Sequence, residues 1–496
     1  VVKVANKYFL SDYVVGFRVD QQHQLPSIEK PEIDPLEIDP DKKSSFMEQV
    51  FTLPHQPFEP RFLKQGEDFE TRKIASGVTL VHANNPLNDL FNIEVRMEMG
   101  YDREPLLPSI KRFLDRSGAN GISTEDLKIE WYKLATDFGF GVREHFTSFV
   151  LNGLDENFES SLELSHDLLS KPNISDESWK ETKKIMISER DDEQKNPSAL
   201  SNALAHFHRY GDYSRYLKRP SDQQVLNLSI EEVTSILSDL LNAEKTILYF
   251  GPRSIESVAT TIRKSFLGQS ATTPKTKTKP DRSFAPKENQ VFFFHKEMAQ
   301  SQIRMEFAVG LYQENNIPST QIFNEYFAGG MAGLVFQELR EARALAYSAW
   351  ANLHTPSRKN EENILIGAIG CQADKTIEAV DAFVGLLNEM PINKTRWESA
   401  HTSILSSYRT NPISSRKRPG FAYDVHALGL SGDPREKRYE TLKNSKVEEF
   451  KAFYEEMIQP RSILISVVGD SNKINLNDLS KFGTLSEITV EKLFSR

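Results

Sequence analysis

Cysteine is nearly missing from this chain of 496 residues: Cys371 stands alone, which excludes an intramolecular disulfide and any cysteine-built metal site. Histidine is not scarce, but it never takes the spacing that places two ligands on one helix face. No His-x-x-x-His and no His-x-x-Glu-His occurs. His206 and His208 are two apart and face different sides of a helix, while Glu144 and His145 point to opposite faces of a strand. His295 reads as a strand-edge residue, and His401 and His426 fall on separate helical segments without an acid cluster. No apolar run approaches the length of a bilayer span. Basic excess is also lacking: Lys and Arg total 61 against 70 Asp and Glu, a net charge of −9, which argues against a nucleic-acid partner. There is no Gly-x-Ser-x-Gly elbow, and Cys371 sits in an apolar strand without a nearby base, as a packing residue does. An initiator methionine and a signal or transit peptide are absent too, so the sequence reads as a piece of something longer.

What is present is a repeat of long period. KTILYFG ending at Gly251 and RSILISVVG ending at Gly469 are 218 residues apart, as are Trp179 and Trp397. Glu232 and Glu449, in the helical segments before those strands, keep an offset of 217, and Pro197 and Pro412 one of 215. Two copies of a unit of about 200 residues follow, each large enough for its own core.

Strands 77–83 and 91–100, a helix through Ser109–Leu114, a capped helix from Ser123, a strand over 139–154 and a helix over 157–169 make up copy one. Copy two repeats that order from 289. Hairpin strands mixed with helices predict an α+β fold: two tandem sandwiches of mainly antiparallel sheet with helices on one face. The expected organisation is 1–23 as the tail of a truncated preceding domain, with 7–20 as its terminal strand and Tyr13–Arg18 as that strand's apolar core, and 24–62 as a Pro-rich linker running extended. Residues 63–268 form the first domain, 269–288 a mobile linker and 289–496 the second domain. The basic run 414–421, SSRKRPGF, reads as a solvated turn.

The densest signal lies over 326–353, YFAGGMAGLVFQELREARALAYSAWANL. Gly329 and Gly330 break the preceding helix, Leu334 to about Ala344 favour helix, and small and aromatic residues alternate from Leu345 as in a strand. The GGMAG loop lacks the Lys-Ser/Thr of a phosphate loop. Arg340 then sits late on the helix and Tyr347 just inside the strand, so a permanent cation and a phenol donor can meet one cleft. On spacing alone a solvated helix charge beside Glu338 and Glu341, and a core tyrosine, stay open as alternatives.

Two tandem α+β copies, a proline strap and a Gly-rich loop before LREARALAY resemble the C-terminal half of a pitrilysin/insulinase-family zinc peptidase, an inverzincin, over nearly the whole chain. The resemblance implies four domains in two hinged halves closing round a peptide chamber, with Zn2+ in the missing N-terminal half. Arg340 and Tyr347 then contact the substrate carbonyl and the developing oxyanion, and Gly329 and Gly330 line the peptide path. The partners so implied are a peptide and the catalytic half, in cis or as a partner subunit, with an exported or periplasmic setting. Where such a family places its metal helix, 105–121 carries no histidine, and Glu189, which resembles the distant ligand, reads as structural. A non-catalytic scaffold or assembly subunit is the alternative.

Overall fold

The computed structural model describes residues 1–9, 12–17, 19, 44–54, 58–265, 283–343, 345–459 and 461–495. It divides into two units, Val1–Pro57 and Phe58–Arg496. The first unit holds two helices, Val2–Tyr8 and Ser45–Thr52, the second capped by Ser44, whose Oγ accepts the Met47 N–H at 3.2 Å. The strand expected at 7–20 is not formed over 12–17, and the helix at 45–52 interrupts the strap expected to run extended. A strand needs a neighbour for its backbone groups, and the described part of this unit offers none. Most of the proline strap and the greater part of the 269–288 linker lie outside the described residues.

In the larger unit the two repeats build two six-stranded sheets. The first comprises β1 (Glu70–Ala75), β2 (Val78–Asn84), β3 (Leu90–Met97), β4 (Asp137–Val142), β5 (Thr147–Leu154) and β6 (Lys245–Gly251), in the order β1-β2-β6-β3-β5-β4. The second comprises β7 (Gln290–His295), β8 (Gln300–Leu311), β9 (Ala346–His354), β10 (Glu362–Gln372), β11 (Leu464–Gly469) and β12 (Thr484–Glu487), in the order β9-β10-β8-β11-β7-β12. Read from the opposite edge, the second order repeats the first. β2 pairs parallel with β6 and β7 with β11, while the inner neighbours are antiparallel. Only the far edge differs: β1 precedes β2 and runs antiparallel to it, whereas β12 comes from the chain's end and runs parallel to β7. The single strand expected over 139–154 is a hairpin, β4 and β5, turning at 143–146.

One face of each sheet carries its own helices, as the repeat predicts. Val78, Leu80, Ile93, Val95, Ile247 and Tyr249 join Phe113, Phe158, Leu162 and Leu237 in the first core. Val291, Phe293, Ile303, Met305 and Ile465 join Phe323, Phe327 and Phe383 in the second. The other face corrects the expectation of helices on one side only. The Pro197–Tyr210 helix, from copy one, packs on β8 and β11 of copy two, where Leu200, Ala203 and Leu204 meet Val468. Reciprocally, the Arg418–Ala427 helix from copy two covers β2 and β6, where Phe421, Ala422 and Tyr423 meet Val81, Ala83 and Leu248. The central strands β6 and β11 are buried on both faces, which is why Ile247–Tyr249 and Leu464–Val468 read as nearly unbroken apolar runs.

The run 414–421 is therefore no solvated turn; it leads into an exchanged helix. Arg418, 14% exposed, reaches Asp68 at 3.2 Å in the first copy. Tyr423 donates to Glu98 at 2.8 Å, and Arg96 lies 4.6 Å from the Tyr423 ring and 3.3 Å from Asp424. On the other side His208 stacks on Phe292 at 3.7 Å and meets Ser466 Oγ at 3.0 Å. Burial drives the His208 imidazole down to about 3, so it stays neutral there.

Candidate functional site

The helix Ile317–Ala328 ends where Gly329 turns out of helical conformation (φ −66°, ψ 77°). A Cβ on Gly329 would lie 2.2 Å from the Glu325 carbonyl oxygen, and Gly330 has φ +57°, so the backbone itself requires glycine at both places. Gly333 then starts a turn Leu334–Phe336 that widens into a π-helix over Gln337–Ala342. The helix predicted over this stretch is present, with its last turn of π form; such turns recur at functional sites. Leu339 and Leu345 are buried, and the Leu345 N–H donates to the Leu339 carbonyl at 3.0 Å, which ties the π turn to the strand that follows.

Arg340 is about half exposed, at 48%. Its guanidinium lies 4.8 Å from the Phe336 ring and 3.7 Å from the adjacent Glu341 carboxylate. That contact is loose and between chain neighbours, so it fixes little. Tyr347 is 82% exposed, which excludes the core reading. It falls at an irregularity of the β9–β10 ladder: Ala346 pairs with Cys371 and Ser348 with Gly370, leaving Tyr347 as the extra residue of a bulge. Bulges re-aim a side chain at a sheet edge, and β9 is an edge strand. The π turn packs on the start of that strand, so Arg340 and Tyr347 stand on two elements in contact.

His206, His145, His295, His401 and the thiol are accounted for structurally. His206 is driven down to about 3 by burial and by Arg209 and Arg215. His145 lies in the β4–β5 turn, not in a strand. Its Nδ1 is 2.9 Å from Asp102 and its Nε2 2.7 Å from Glu361 of the second copy. His295 ends β7 beside Ser471, and His401 meets the Leu442 carbonyl at 2.7 Å. Cys371 is buried in β10, and burial raises its thiol to about 11.

Among the described residues, those at the expected positions do not fit a zinc ion. On the helix Leu107–Leu114, at the position expected to be degenerate, Arg112 Nη2 donates to Glu189 Oε2 at 2.6 Å. A guanidinium thus neutralises the one carboxylate that resembled a ligand. Among the described residues no group of three or more His, Cys, Asp or Glu could hold a metal, and no helix is long and apolar enough to cross a membrane.

Two repeated α+β sheets with this architecture are the fold of the solved M16 peptidase domains. A peptidase M16 inactive domain from Pseudomonas fluorescens superposes with a TM-score of 0.67 at 16% identity, covering 81% of this chain and 98% of that one. The periplasmic protease PqqL from Escherichia coli gives 0.65 at 15%, over 88% of this chain and 49% of that protein. The ferredoxin protease FusC, in complex with Arabidopsis ferredoxin, gives 0.64 at 12%, over 95% and 50%. The chain thus spans about half the length of these two proteases. Residues 233–403 match the family model described as the peptidase M16 inactive domain, in keeping with the pitrilysin-type C-terminal half expected from the sequence. None of the curated proteins compared matches it.

Sequence reasoning passed over two residues next to this site, Arg304 on β8 and Trp350 on β9. The signal for Trp350 was available: in SAWAN the alternation places Trp350 on the face opposite Ala349 and Ala351, away from the core.

Proposed function

We propose that this chain is the half of a zinc-dependent endopeptidase that does not bind the metal, and that it completes a peptide site with Tyr347 and Arg340. The metal belongs to a separate catalytic half, joined in cis or as a partner subunit. The observation that carries this reading is Tyr347 itself: a large phenol, 82% exposed, sits on the bulge of an edge strand where packing gives no reason for it. Its hydroxyl is available to donate to a peptide carbonyl as negative charge develops there, and Arg340 is available to hold a neighbouring carbonyl or carboxylate. The Gly329–Gly330 turn keeps side chains off the peptide path. An exported setting follows from the same reading.

The test is Tyr347→Phe in the chain assembled with its catalytic half. Loss of one preorganised donor of this kind lowers kcat by roughly 10²–10³ while leaving assembly intact. Unchanged hydrolysis of a test peptide would remove Tyr347 from the chemistry. A scaffold role is the second reading, and the Arg112–Glu189 ion pair at the metal-helix position is compatible with both. With a scaffold role, neither Tyr347 nor Arg340 substitutions alter any hydrolysis.

A further inference from the structure

Beyond the exchanged 197–210 helix, the outer face of the second sheet is open toward β9. Its residues register in rows across the strands. Trp350, Ala368, Arg304 and Ser466 form one row, with Ser348, Gly370 and Gln302 on one side and Asn352, Ile366 and Glu306 on the other. The floor is small, Ala368 and Gly370, so nothing bulky separates the Arg304 guanidinium from the indole: Cζ lies 5.2 Å from the ring centroid. Trp350 is 45% exposed, whereas Trp179 and Trp397 are buried. Asn202 of the exchanged helix fixes the guanidinium, its Oδ1 accepting from Nη2 at 2.8 Å.

Charge is unbalanced at this spot. Among the described residues no carboxylate makes an ion pair with Arg304. The acid that acts on it, Glu306, is buried one row along and faces Arg209 at 3.5 Å. Two guanidiniums therefore share one carboxylate. Burial works against the charged form of Arg304, and Arg209 adds to it, together pulling its pKa below the ordinary value. A partly desolvated surplus cation beside an exposed indole is complementary to an anion carried on an apolar or planar chain.

We propose that Arg304 and Trp350 form a subsite for an acidic peptide, the guanidinium taking a peptide carboxylate and the indole packing under the adjoining residues. This rests on the peptide-binding reading above and names the substrate chemistry for it. Tyr347 precedes Trp350 on the same strand by three residues, roughly 10 Å along an extended backbone. A peptide laid along β9 thus spans both positions. The carboxylate can belong to an Asp or Glu side chain or to the peptide's C-terminus; both present the same two oxygens to the fork of the guanidinium.

The full chain is titrated with four short synthetic peptides, carrying Glu or Gln at one position and a free or amidated C-terminus, with binding read by calorimetry and tryptophan fluorescence. The expected result is affinity at least tenfold higher for a peptide that keeps the relevant carboxylate. Arg304→Gln should abolish that preference, Arg304→Lys retain part of it, and Trp350→Phe remove the fluorescence change. Loss of affinity on amidation assigns the C-terminal carboxylate, and loss on Glu-to-Gln exchange assigns the side chain. Equal affinity for all four peptides overturns the acidic subsite and leaves the peptide reading standing. No binding of any peptide overturns both. Should Arg304→Gln fail to fold, the four-peptide comparison on the unaltered chain decides alone.

Discussion

Tyr347 and Arg340 differ from most polar residues of this chain in having no structural employment. Arg418, Arg253 and Arg438 each bind a carboxylate of another element, whereas among the described residues the carboxylate nearest Arg340 is that of its neighbour Glu341, at 3.7 Å, and its other contact is the Phe336 ring. What presents the pair is the backbone between Gly329 and Tyr347, and that backbone is tightly specified. A Cβ on Gly333 would lie 2.6 Å from the Gly329 nitrogen, while one on Gly330 meets open space but a positive φ. Gly330→Ala should therefore cost about 1–2 kcal/mol of stability. Gly333→Ala should cost more, because backbone atoms must move. Denaturant unfolding checks both, and equal effects would mean the turn is looser than described. The glycines and the Arg–Tyr spacing were legible in the sequence. The exposure of Tyr347 was not, because alternation assigns faces only within a regular ladder and the bulge lies outside one.

At the scale of elements, the exchanged helices are the feature that most changes how the sequence is understood. The repeat showed two copies, and their equivalent strands do occupy equivalent places in the two sheets. It could not show that 197–210 belongs on the second sheet and 418–427 on the first. Periodicity reveals that a helix has an apolar face, not which sheet covers it. The run SSRKRPGF looked solvated because its arginines find partners such as Asp68 and Asn152 only in the other copy. Likewise β12 takes the edge place of β1 from the opposite end of the chain, an order no local pattern encodes. Leu204 is buried in the shared cluster with Val468. Leu204→Ala should destabilise the protein by about 2–5 kcal/mol, and hydrogen exchange should show protection lost in β8 and β11 as well as in copy one. Loss confined to copy one would contradict the exchange.

For the whole molecule, polar contacts between the copies add a dependence on pH. His145 bridges Asp102 of copy one and Glu361 of copy two, with Glu144 and Arg358 also acting on it. Burial alone would lower its pKa, but the hydrogen bonds to the two carboxylates outweigh it and hold the imidazole at about 9. A pKa raised above the unfolded value near 6.5 stabilises the folded state fully below about pH 6.5, and this contribution is lost as pH rises through about 9. Its size is on the order of 2–3 kcal/mol. Urea unfolding between pH 6 and 10 should show that decline, and His145→Gln should flatten it; an identical slope in the variant would remove His145 from the interface energetics. None of this was visible in the sequence, where His145 read as a strand residue, because its partners lie 43 residues before it and in the second copy. On the function proposed above, this chain completes a peptide site whose metal lies in a separate catalytic half. The most direct measurement is peptide hydrolysis by the metal-bearing half alone and after assembly with this chain. Cleavage is expected to appear only in the assembled protein and to fall roughly 10²–10³-fold when the chain carries Tyr347→Phe. Equal cleavage by the metal-bearing half alone, or none from the assembly, would contradict it.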